Sequence, residues 1–572
     1  MLNGKIGRLT LPAGLLTLLA FALLFTGCSF LNEILELSNV DTASVAKKIS
    51  NSDYTSIDST TYTVPSDKAG KVAYLVKVNL GSSKASASST GASRALAAGA
   101  EDQISSENEE RALGSRSFSL PADFTFESLG YELSPSEAEE RSSRALKSSY
   151  SVGATEKFHI NRSSSLTSAT LKYISDSFYI WYVPSSKTFI KESQMDFATL
   201  GEKLDSVFSV EKEIFGSNVP VKKYSNMISI TESDKIHVIV YDIDNDATEN
   251  KKSGTYGFMD TVNVYTTDSE LGKKYNSNGA QILYIDSYFL QVAKEKTWGT
   301  AAHELQHLLG FIQKQINVQY DFSTWFTEML SVLSEEIFQD ILAIPDDCTP
   351  ISLRSDYSGS AYNWGIADEC WNLADSTGMG GSFEYVNTYL FGSYLARYYG
   401  GMKLINEIAT NAYGKEEAIS KALASLGYSE DFYQVLGKFP QIYVNASGNN
   451  SRLCTLNKAV TSTYKGTSYK LKAIDLTSYK ISASYYSTPA SSHGWKELVS
   501  GDYIPGISAM YKSPGTYVSL PVILKGSSAG QVNLFQYGSS VHCLGSVTAG
   551  KKLNFTLPSD KYVAMFITYM GQ

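Results

Sequence analysis

The sequence predicts a multidomain α+β protein. A central domain with a mixed sheet and several helices is followed by an all-β, sandwich-like C-terminal domain. Three observations carry this prediction. The length of 572 residues exceeds that of one ordinary domain. Buried-type strands and segments with helical periodicity alternate between residues 151 and 444. Beyond residue 445, short alternating strands are separated by Gly, Ser and Pro.

The composition limits the kind of partner that the chain can have. Apolar residues make up 43% of the sequence, which is enough to build packed cores. The formal net charge is −9, and the sequence pI is about 5.4. Because a nucleic-acid-binding protein needs a basic face for phosphates, this balance argues against a nucleic-acid partner. The sequence leaves the oligomeric state open.

Residues 1–28 have the pattern of a bacterial export signal that ends in a lipidation site. A basic start with Lys5 and Arg8 is followed by an apolar stretch over residues 11–25. A Thr-Gly-Cys sequence follows and ends at Cys28, an order that resembles a lipobox. We therefore predict a lipoprotein anchored through Cys28 to a bacterial membrane, at the outer membrane or the cell surface. An ordinary secretory signal with an incidental cysteine is the alternative.

Residues 29–150 are predicted to form a tether, a small β segment and a flexible linker. The run from Val72 to Val78 alternates and is rich in β-branched residues, which favours a strand. Residues 82–117 are rich in Ser, Ala and Glu and contain almost no large apolar side chains. Such a segment buries too little surface to fold, and it is also a plausible site of propeptide cleavage.

The central domain is predicted to span residues 151–444 and to contain the strands and helices of the α+β core. Apolar runs of strand length and longer segments of helical period mark its elements. We expect strands at 157–160, 169–174, 178–183, 236–241 and 282–285, and helices at 197–215, 297–313, 324–342, 384–399, 402–410 and 415–425.

The C-terminal β domain is predicted to span residues 445–572. Four cysteines follow Cys28, and an even count in an exported protein permits two disulfides. A bridge between Cys348 and Cys370 would close a loop of the central domain, and one between Cys454 and Cys543 would close the C-terminal region. The sequence does not decide the pairing.

The segment His303-Glu304-Leu305-Gln306-His307 carries the chemistry of the chain. His303 and His307 are four residues apart, so on a helix both imidazoles lie on one face and can reach one tetrahedral Zn²⁺. Glu304 lies beside the first ligand, where it can take a proton from metal-bound water. This pattern predicts a zinc-dependent hydrolase with about one zinc per chain.

A catalytic zinc needs a third protein ligand. Gly310 fits the HExxHxxGxxH pattern, but Gln313 stands where that pattern has its third histidine, and glutamine is a poor zinc ligand. The alternative is a carboxylate from the next helix. Glu328 lies in an aromatic, otherwise apolar helix start, where a carboxylate is costly unless it is paired or bound to metal. We therefore predict Glu328 as the third ligand, with Glu335 and Glu336 as alternatives or as groups that support the ligands.

These motifs resemble the hyicolysin family of secreted bacterial zinc metallopeptidases. The resemblance rests on the segments Thr300–His307 and Thr324–Ser331, on Ile282–Asp286, and on the tyrosine-rich run between Tyr385 and Gly400. It covers residues from about 155 to 440. Two positions beside the predicted ligand depart from the family pattern: Thr327 stands where the family usually has Asn, and Met329 where it often has Gly.

The resemblance implies a zincin-like metallopeptidase domain that cleaves peptide bonds of extracytoplasmic proteins. Leu283, Tyr284 and Ile285 would form the edge strand beside the cleft, to which an extended peptide adds by backbone hydrogen bonds. Tyr389 or Tyr385 would stabilise the oxyanion. The alternative is a non-catalytic surface lipoprotein or adhesin with a vestigial peptidase fold.

One weaker motif concerns a second cation. The acidic segment Asp242–Asp246 resembles the start of a calcium loop. It departs from the EF-hand pattern at Ala247, where that loop has Gly, and at Ser253, where it has Glu. A polar turn after a strand is therefore the favoured interpretation, and calcium is the alternative.

Overall fold

A computed structural model of the chain describes most of the predicted domains. The described residues are 40–81, 85–86, 120–144, 150–249, 254–321, 323–348, 382–474, short strand segments between 503 and 534, 537–555, 557–558 and 561–571. The predicted signal and lipidation site at Cys28, most of the predicted linker, and Cys370 lie outside these residues. No helix within the described ranges is long and apolar enough to cross a membrane.

The helices of the described residues follow the predicted order along the chain. They are α1 (Thr42–Ile49), α2 (Pro135–Arg144), α3 (Phe197–Phe215), α4 (Glu270–Lys274), α5 (Ser287–Val292), α6 (Lys294–Gly310), α7 (Thr324–Ile337), α8 (Gln339–Leu342), α9 (Ser382–Tyr398), α10 (Gly401–Thr410), α11 (Lys415–Ser425), α12 (Phe432–Lys438) and α13 (Gln441–Val444). A π-helix (Phe311–Asn317) continues directly from α6.

The strands lie in two main groups, one central and one formed from both ends of the chain. They are β1 (Tyr54–Ser56), β2 (Thr61–Thr63), β3 (Val72–Asn79), β4 (Ala85–Ser86), β5 (Thr155–His159), β6 (Leu166–Ile174), β7 (Phe178–Tyr182), β8 (Ile236–Tyr241), β9 (Gly257–Met259), β10 (Ile282–Asp286), β11 (Val460–Tyr464), β12 (Thr467–Leu471), β13 (Tyr503–Ile504), β14 (Ala509–Ser513), β15 (Thr516–Ser519), β16 (Leu524–Lys525), β17 (Asn533–Leu534), β18 (Ser539–Ser546), β19 (Lys552–Asn554) and β20 (Val563–Met570).

In the part of the chain that the structure describes, the central domain contains a six-stranded mixed sheet of order β5-β6-β7-β8-β10-β9. β7, β8 and β10 run parallel, while β5, β6 and β9 pair antiparallel with their neighbours. β8 and β10 are almost wholly buried, as expected for parallel strands covered on both faces. The side chains of β10 alternate: Leu283 and Ile285 join the main core with the helices, and Tyr284 joins a second cluster.

The helix α6 is buried on nearly all sides. Every residue from Thr297 to Leu309 is buried, which is typical of a helix in the centre of a domain rather than at its surface. It packs against the strands β9 and β10 and against the helices α3 and α7. Its position brings the predicted ligand segment between the sheet edge and α7.

A second sheet joins the two ends of the chain. Its order among the described residues is β1-β20-β3-β18-β16, so strands that follow residue 539 pair with strands that precede residue 80. The C-terminal strands β18 and β20 therefore pair with β1 and β3, which lie in the region predicted to contain the tether and a small β segment. The predicted boundaries of residues 29–150 and 445–572 stay predictions, but the sheet itself belongs to both regions.

Residues after 445 also contribute to the core of the central domain. Leu456, Tyr469 and Leu471 are buried in the same hydrophobic cluster as the side chains of α6 and α7. Cys454 carries a free thiol near the hydroxyl of Tyr394, and burial raises the pKa of this thiol to about 11. A bridge from Cys454 to Cys543, one of the possible pairings, is therefore not formed, since the Cys454 thiol is free and lies near Tyr394.

Candidate metal centre

Two neighbouring helices bring the predicted ligands together. His303 and His307 lie one turn apart on α6, and Glu328 lies in the second turn of α7. One ligand atom from each of the three residues lies within 4.8 Å of the other two. The Glu328 carboxylate is 3.2 Å from His303 Nε2 and 3.5 Å from His307 Nε2. All three side chains are fully buried.

The other ring nitrogen of each histidine has its own partner. His303 Nδ1 lies 2.8 Å from Glu335 Oε1, and His307 Nδ1 lies 2.9 Å from Ser331 Oγ. When these contacts hold the proton on Nδ1, both Nε2 atoms present lone pairs toward Glu328. Glu335, predicted as an alternative ligand, thus contacts the Nδ1 atom of His303 and is not part of the group formed by His303, His307 and Glu328.

The electrostatics of the centre favour a positive charge between the ligands. Burial alone would lower the pKa of His303, but hydrogen bonds and the charges of Glu328 and Glu335 raise it to about 10. Burial alone would raise the pKa of Glu328, but His307 and His303 hold it well below its usual range. Two buried carboxylates beside the imidazoles thus stabilise positive charge at this point, which suits a divalent metal ion.

The donor set therefore fits a metal with three protein ligands. Two imidazole nitrogens and one carboxylate, all buried, converge on one point from two rigid helices. This number of protein ligands leaves a position for water or substrate in tetrahedral coordination. Within the described ranges, His303, His307 and Glu328 are the group that meets the distance requirement for holding a metal ion.

Glu304 lies between the ligands and the sheet edge. Its carboxylate accepts a backbone hydrogen bond from Met259 of β9, and the side chain is 1% exposed. Burial raises its pKa to about 8, against an opposing effect of the His303 charge. Its Oε1 atom is buried without a hydrogen-bond partner in the described structure. This oxygen is thus available to a molecule that enters the site.

Leu283, Tyr284 and Ile285 do not form the edge of the sheet. β10 lies between β8 and β9, and β9 is the outermost strand of this sheet in the described residues. The expectation of an edge strand at 283–285 was therefore wrong. β9 is only three residues long and follows residues without a clear alternating pattern, so periodicity does not reveal it.

The two candidate tyrosines have different outcomes. The Tyr389 hydroxyl is buried and donates a hydrogen bond of 3.0 Å to Glu336 Oε2. Glu336 in turn pairs with Arg397 at 2.5 Å. Tyr389 thus belongs to a buried network between α7 and α9, and this geometry gives no support for a role at the metal. Tyr385 lies on α9, but its side chain is outside the described part of the structure.

In the acidic segment after β8, the charge of Asp242 is paired with groups of the protein itself. Asp242 pairs with Lys187 at 3.0 Å and accepts a hydrogen bond from the Ser185 hydroxyl. The residues between Asp242 and Asp246 do not form a metal-holding group in the described structure. The favoured interpretation, a polar turn, agrees with these contacts.

The two departures from the family pattern have structural explanations. The Thr327 hydroxyl donates to the carbonyl of Ser323, one turn earlier in the chain. Met329 packs against Gly392 of α9, where an added Cβ would lie 3.0 Å from Met329 Cγ. The larger side chain at 329 is therefore accommodated by a glycine on the facing helix.

Sequence reasoning missed one residue of the centre. Ser331 lies three positions after Glu328, so both side chains lie on the same face of α7. Its hydroxyl contacts His307 Nδ1 and the Gln306 side chain. The i, i+3 spacing was the available signal, but an isolated serine in an apolar helix has no chemistry that marks it.

The fold and the centre agree with similarities to known proteins. Residues 183–442 match the family model of peptidase M30, and this range contains the whole candidate centre. The chain is also similar to the neutral metalloprotease ShpI of Staphylococcus hyicus, with 24% identity over 269 residues. The aligned part covers 45% of this chain and 54% of that protein, so the chain spans about half the length of the curated relative it matches. Both similarities support a metallopeptidase related to peptidase M30.

Proposed function

We propose that the chain is a zinc endopeptidase of the HExxH type, which hydrolyses peptide bonds of extracytoplasmic proteins. His303, His307 and Glu328 hold the zinc ion, and Glu304 is the general base. The observation that carries this proposal is the convergence of the three buried ligand atoms within 4.8 Å, with Glu304 adjacent. Zinc is favoured over other metals because two imidazoles and a carboxylate are a common catalytic zinc set.

Several residues of the chain have distinct roles in the proposed hydrolysis. When bound, zinc supplies a Lewis acid that polarises the scissile carbonyl and lowers the pKa of water. Glu304 accepts a proton from the attacking water and passes it to the leaving amine. The amide of Met259 holds the Glu304 carboxylate in place. Glu335 and Ser331 orient the two histidines.

The substrate is proposed to bind along β9. This strand is the outermost in the described sheet and contacts α6, so an extended peptide could add to it beside Glu304. Gly257 lets β9 lie close to β10 and α6, since an added Cβ would lie 2.8 Å from the Tyr284 carbonyl oxygen and 3.1 Å from Thr300 Cγ2.

The proposal is tested by Glu304→Gln, which removes the base but leaves the three ligands. We expect the variant to retain about one zinc per chain and to lose hydrolysis of a protein substrate such as casein by a factor of at least about 100. Lys294→Gln is the control, since Lys294 is exposed at the start of the same helix and lies on the side opposite the two histidines. An unchanged rate in Glu304→Gln would contradict the proposal and favour the alternative of a non-catalytic surface protein.

We also propose that the protein is exported and anchored by a lipid on Cys28. The support is the order of basic residues, apolar stretch and Thr-Gly-Cys sequence in residues 1–28. In a bacterial host, the full chain should fractionate with membranes and incorporate labelled fatty acid, and Cys28→Ser should abolish the label. Label that persists in Cys28→Ser would contradict the anchor site.

A further inference from the structure

The two zinc-ligand histidines of the proposed centre are supported by chemically different groups. His303 Nδ1 contacts a carboxylate oxygen of Glu335, whereas His307 Nδ1 contacts a hydroxyl, Ser331 Oγ. His307 is therefore held by a neutral hydrogen-bonding group, whereas His303 is held by a carboxylate.

Ser331 connects His307 to a further side chain. Its hydroxyl is fully buried and also contacts the carboxamide oxygen of Gln306, with the carbonyl of Thr327 3.1 Å away. Gln306 precedes His307 on α6 and is 1% exposed. The contacts thus run between α6 and α7, from the imidazole through the hydroxyl to the amide.

The proton count gives this set of contacts a direction. A serine hydroxyl has one proton to donate, and a carboxamide oxygen only accepts. If His307 binds a metal through Nε2, its Nδ1 carries a proton and donates to Ser331 Oγ. The serine proton is then directed to Gln306 Oε1. With a single proton, Ser331 Oγ can satisfy both contacts only when it accepts from His307 Nδ1 and donates to Gln306 Oε1.

We propose that Ser331 and Gln306 are positioning residues that fix the tautomer and orientation of His307 for metal binding. This inference rests on the proposed zinc centre and assigns a role to two residues outside the HExxH and Glu328 ligand set. The hydrogen bonds from His307 through Ser331 to Gln306, here called the relay, direct the lone pair of His307 Nε2 toward the metal. They also connect the end of α6 to α7. Gly310 leaves room for the Gln306 amide, since a Cβ at position 310 would lie 3.3 Å from Gln306 Nε2.

The test compares zinc affinity in Ser331→Ala with that of the parent, by competition with a fluorescent chelator. We expect a loss of about 10- to 100-fold, the range found when groups that orient metal ligands are removed. Ser331→Thr, which keeps the hydroxyl, should restore most of the affinity. Gln306→Leu should weaken binding less, because Ser331 then still accepts from His307 and can donate to the Thr327 carbonyl.

Ser334→Ala is the matched control. Ser334 lies on the same helix, is equally buried and donates 2.7 Å to the backbone carbonyl of Ser331, without contact to a ligand. It should leave zinc affinity unchanged. If Ser331 had only a structural role, Ser331→Ala would lower the melting temperature of the metal-free protein. In the proposed role, Ser331→Ala instead reduces the increase in melting temperature that zinc binding produces.

The outcomes separate this inference from the proposed function. Zinc binding by the parent with equal affinity in Ser331→Ala would overturn the relay and leave the metal centre intact. Equal losses in Ser331→Ala and Ser334→Ala would also overturn it. If Ser331→Ala does not fold, unchanged affinity and zinc-induced stabilisation in Gln306→Leu would decide against the relay. A parent protein that binds no zinc would overturn both proposals.

Discussion

His237 shows how one side chain couples the stability of the central sheet to pH. Its ring lies beside that of Trp181 with an angle of 2° between the planes, and its Nδ1 accepts a 3.0 Å hydrogen bond from Trp181 Nε1. That bond requires an unprotonated Nδ1. Burial lowers the pKa of His237 to about 4, while Glu156 opposes the shift. The unfolded chain takes up this proton near pH 6.5, so acid favours unfolding.

The predicted consequence is a loss of stability between pH 6.5 and pH 4. In this window the unfolded state binds the proton and the folded state does not, which costs up to about 3 kcal/mol at the acid end. His237→Gln keeps an acceptor for Trp181 but does not titrate. Urea unfolding at pH 7 and pH 4.5 should show a smaller acid-induced loss in this variant. An identical loss in both proteins would show that His237 does not titrate in this way.

At the level of residues, sequence reasoning succeeded where spacing alone determines geometry. His303, Glu304 and His307 lie within five consecutive positions of one helix, so their arrangement follows from helical periodicity. Glu328 was predicted because a lone carboxylate in an apolar helix needs a partner. Tyr389 could not be judged from the sequence, because its hydroxyl partner Glu336 lies 53 residues earlier.

Tyr389 also provides a prediction. If its hydroxyl serves only Glu336, Tyr389→Phe should reduce stability by about 1.5 to 3 kcal/mol, the usual value of a hydrogen bond to a charged group, and leave kcat unchanged. Chemical denaturation and hydrolysis rates of the same preparation measure both effects. A large fall in kcat without a fall in stability would restore Tyr389 as a candidate for transition-state stabilisation.

At the level of elements, the contact between β9 and its neighbours depends on Gly257. An added Cβ would lie 2.8 Å from the Tyr284 carbonyl oxygen, which is backbone and cannot rotate away. We predict that Gly257→Ala destabilises the protein by about 1 to 3 kcal/mol, since such an overpacked site forces the strand to move. Gly571→Ala is a control for glycine replacement away from β9, since its Cβ would meet nothing within 4 Å and its φ is outside the left-handed region.

The Gly257 prediction extends to activity. Because β9 carries the Met259 amide that holds Glu304, displacement of the strand should lower kcat/KM in a protein that still binds zinc. Thermal unfolding measures the loss of stability, metal analysis measures zinc content, and hydrolysis rates measure kcat/KM. Normal stability in Gly257→Ala would mean that β9 does not pack on β10 as described.

Long periodic elements were predictable, and short or irregular ones were not. The helix at Phe197–Phe215 and the strand at Ile236–Tyr241 match their predicted bounds, because each has a continuous apolar pattern. The predicted helix end at 313 misses the π-helix Phe311–Asn317, whose wider turn has no distinct sequence pattern. The three-residue strand β9 was missed for lack of length.

At the level of the whole molecule, the sheet β1-β20-β3-β18-β16, which combines strands from both ends of the chain, contacts the central domain through side chains. The Tyr54 hydroxyl donates to the Gly437 carbonyl at 3.0 Å, and Asp53 pairs with Arg452 at 3.1 Å. The Tyr537 ring contacts Trp325, three residues before Glu328, with ring centroids 6.1 Å apart. Partners separated by hundreds of residues leave no local pattern, so the sequence could not reveal this joint sheet.

These contacts predict that the fragment 151–444 does not reproduce the stability of the full chain. The fragment lacks the buried side chains of residues 453–474 and exposes the surface around Trp325 that Tyr537 covers. We expect a lower melting temperature and aggregation. Thermal unfolding of the fragment and of residues 40–572 provides the comparison, and equal melting temperatures would contradict the proposed dependence.

The central claim is that His303, His307 and Glu328 form a zinc site. The most direct measurement is the metal content of purified residues 29–572 by mass spectrometry under native conditions, with His303→Ala and Glu328→Ala alongside. We predict about one zinc per chain in the parent and little in either variant, since each loses one of three protein ligands. No zinc in the parent after loading, or equal zinc in all three proteins, would contradict the account.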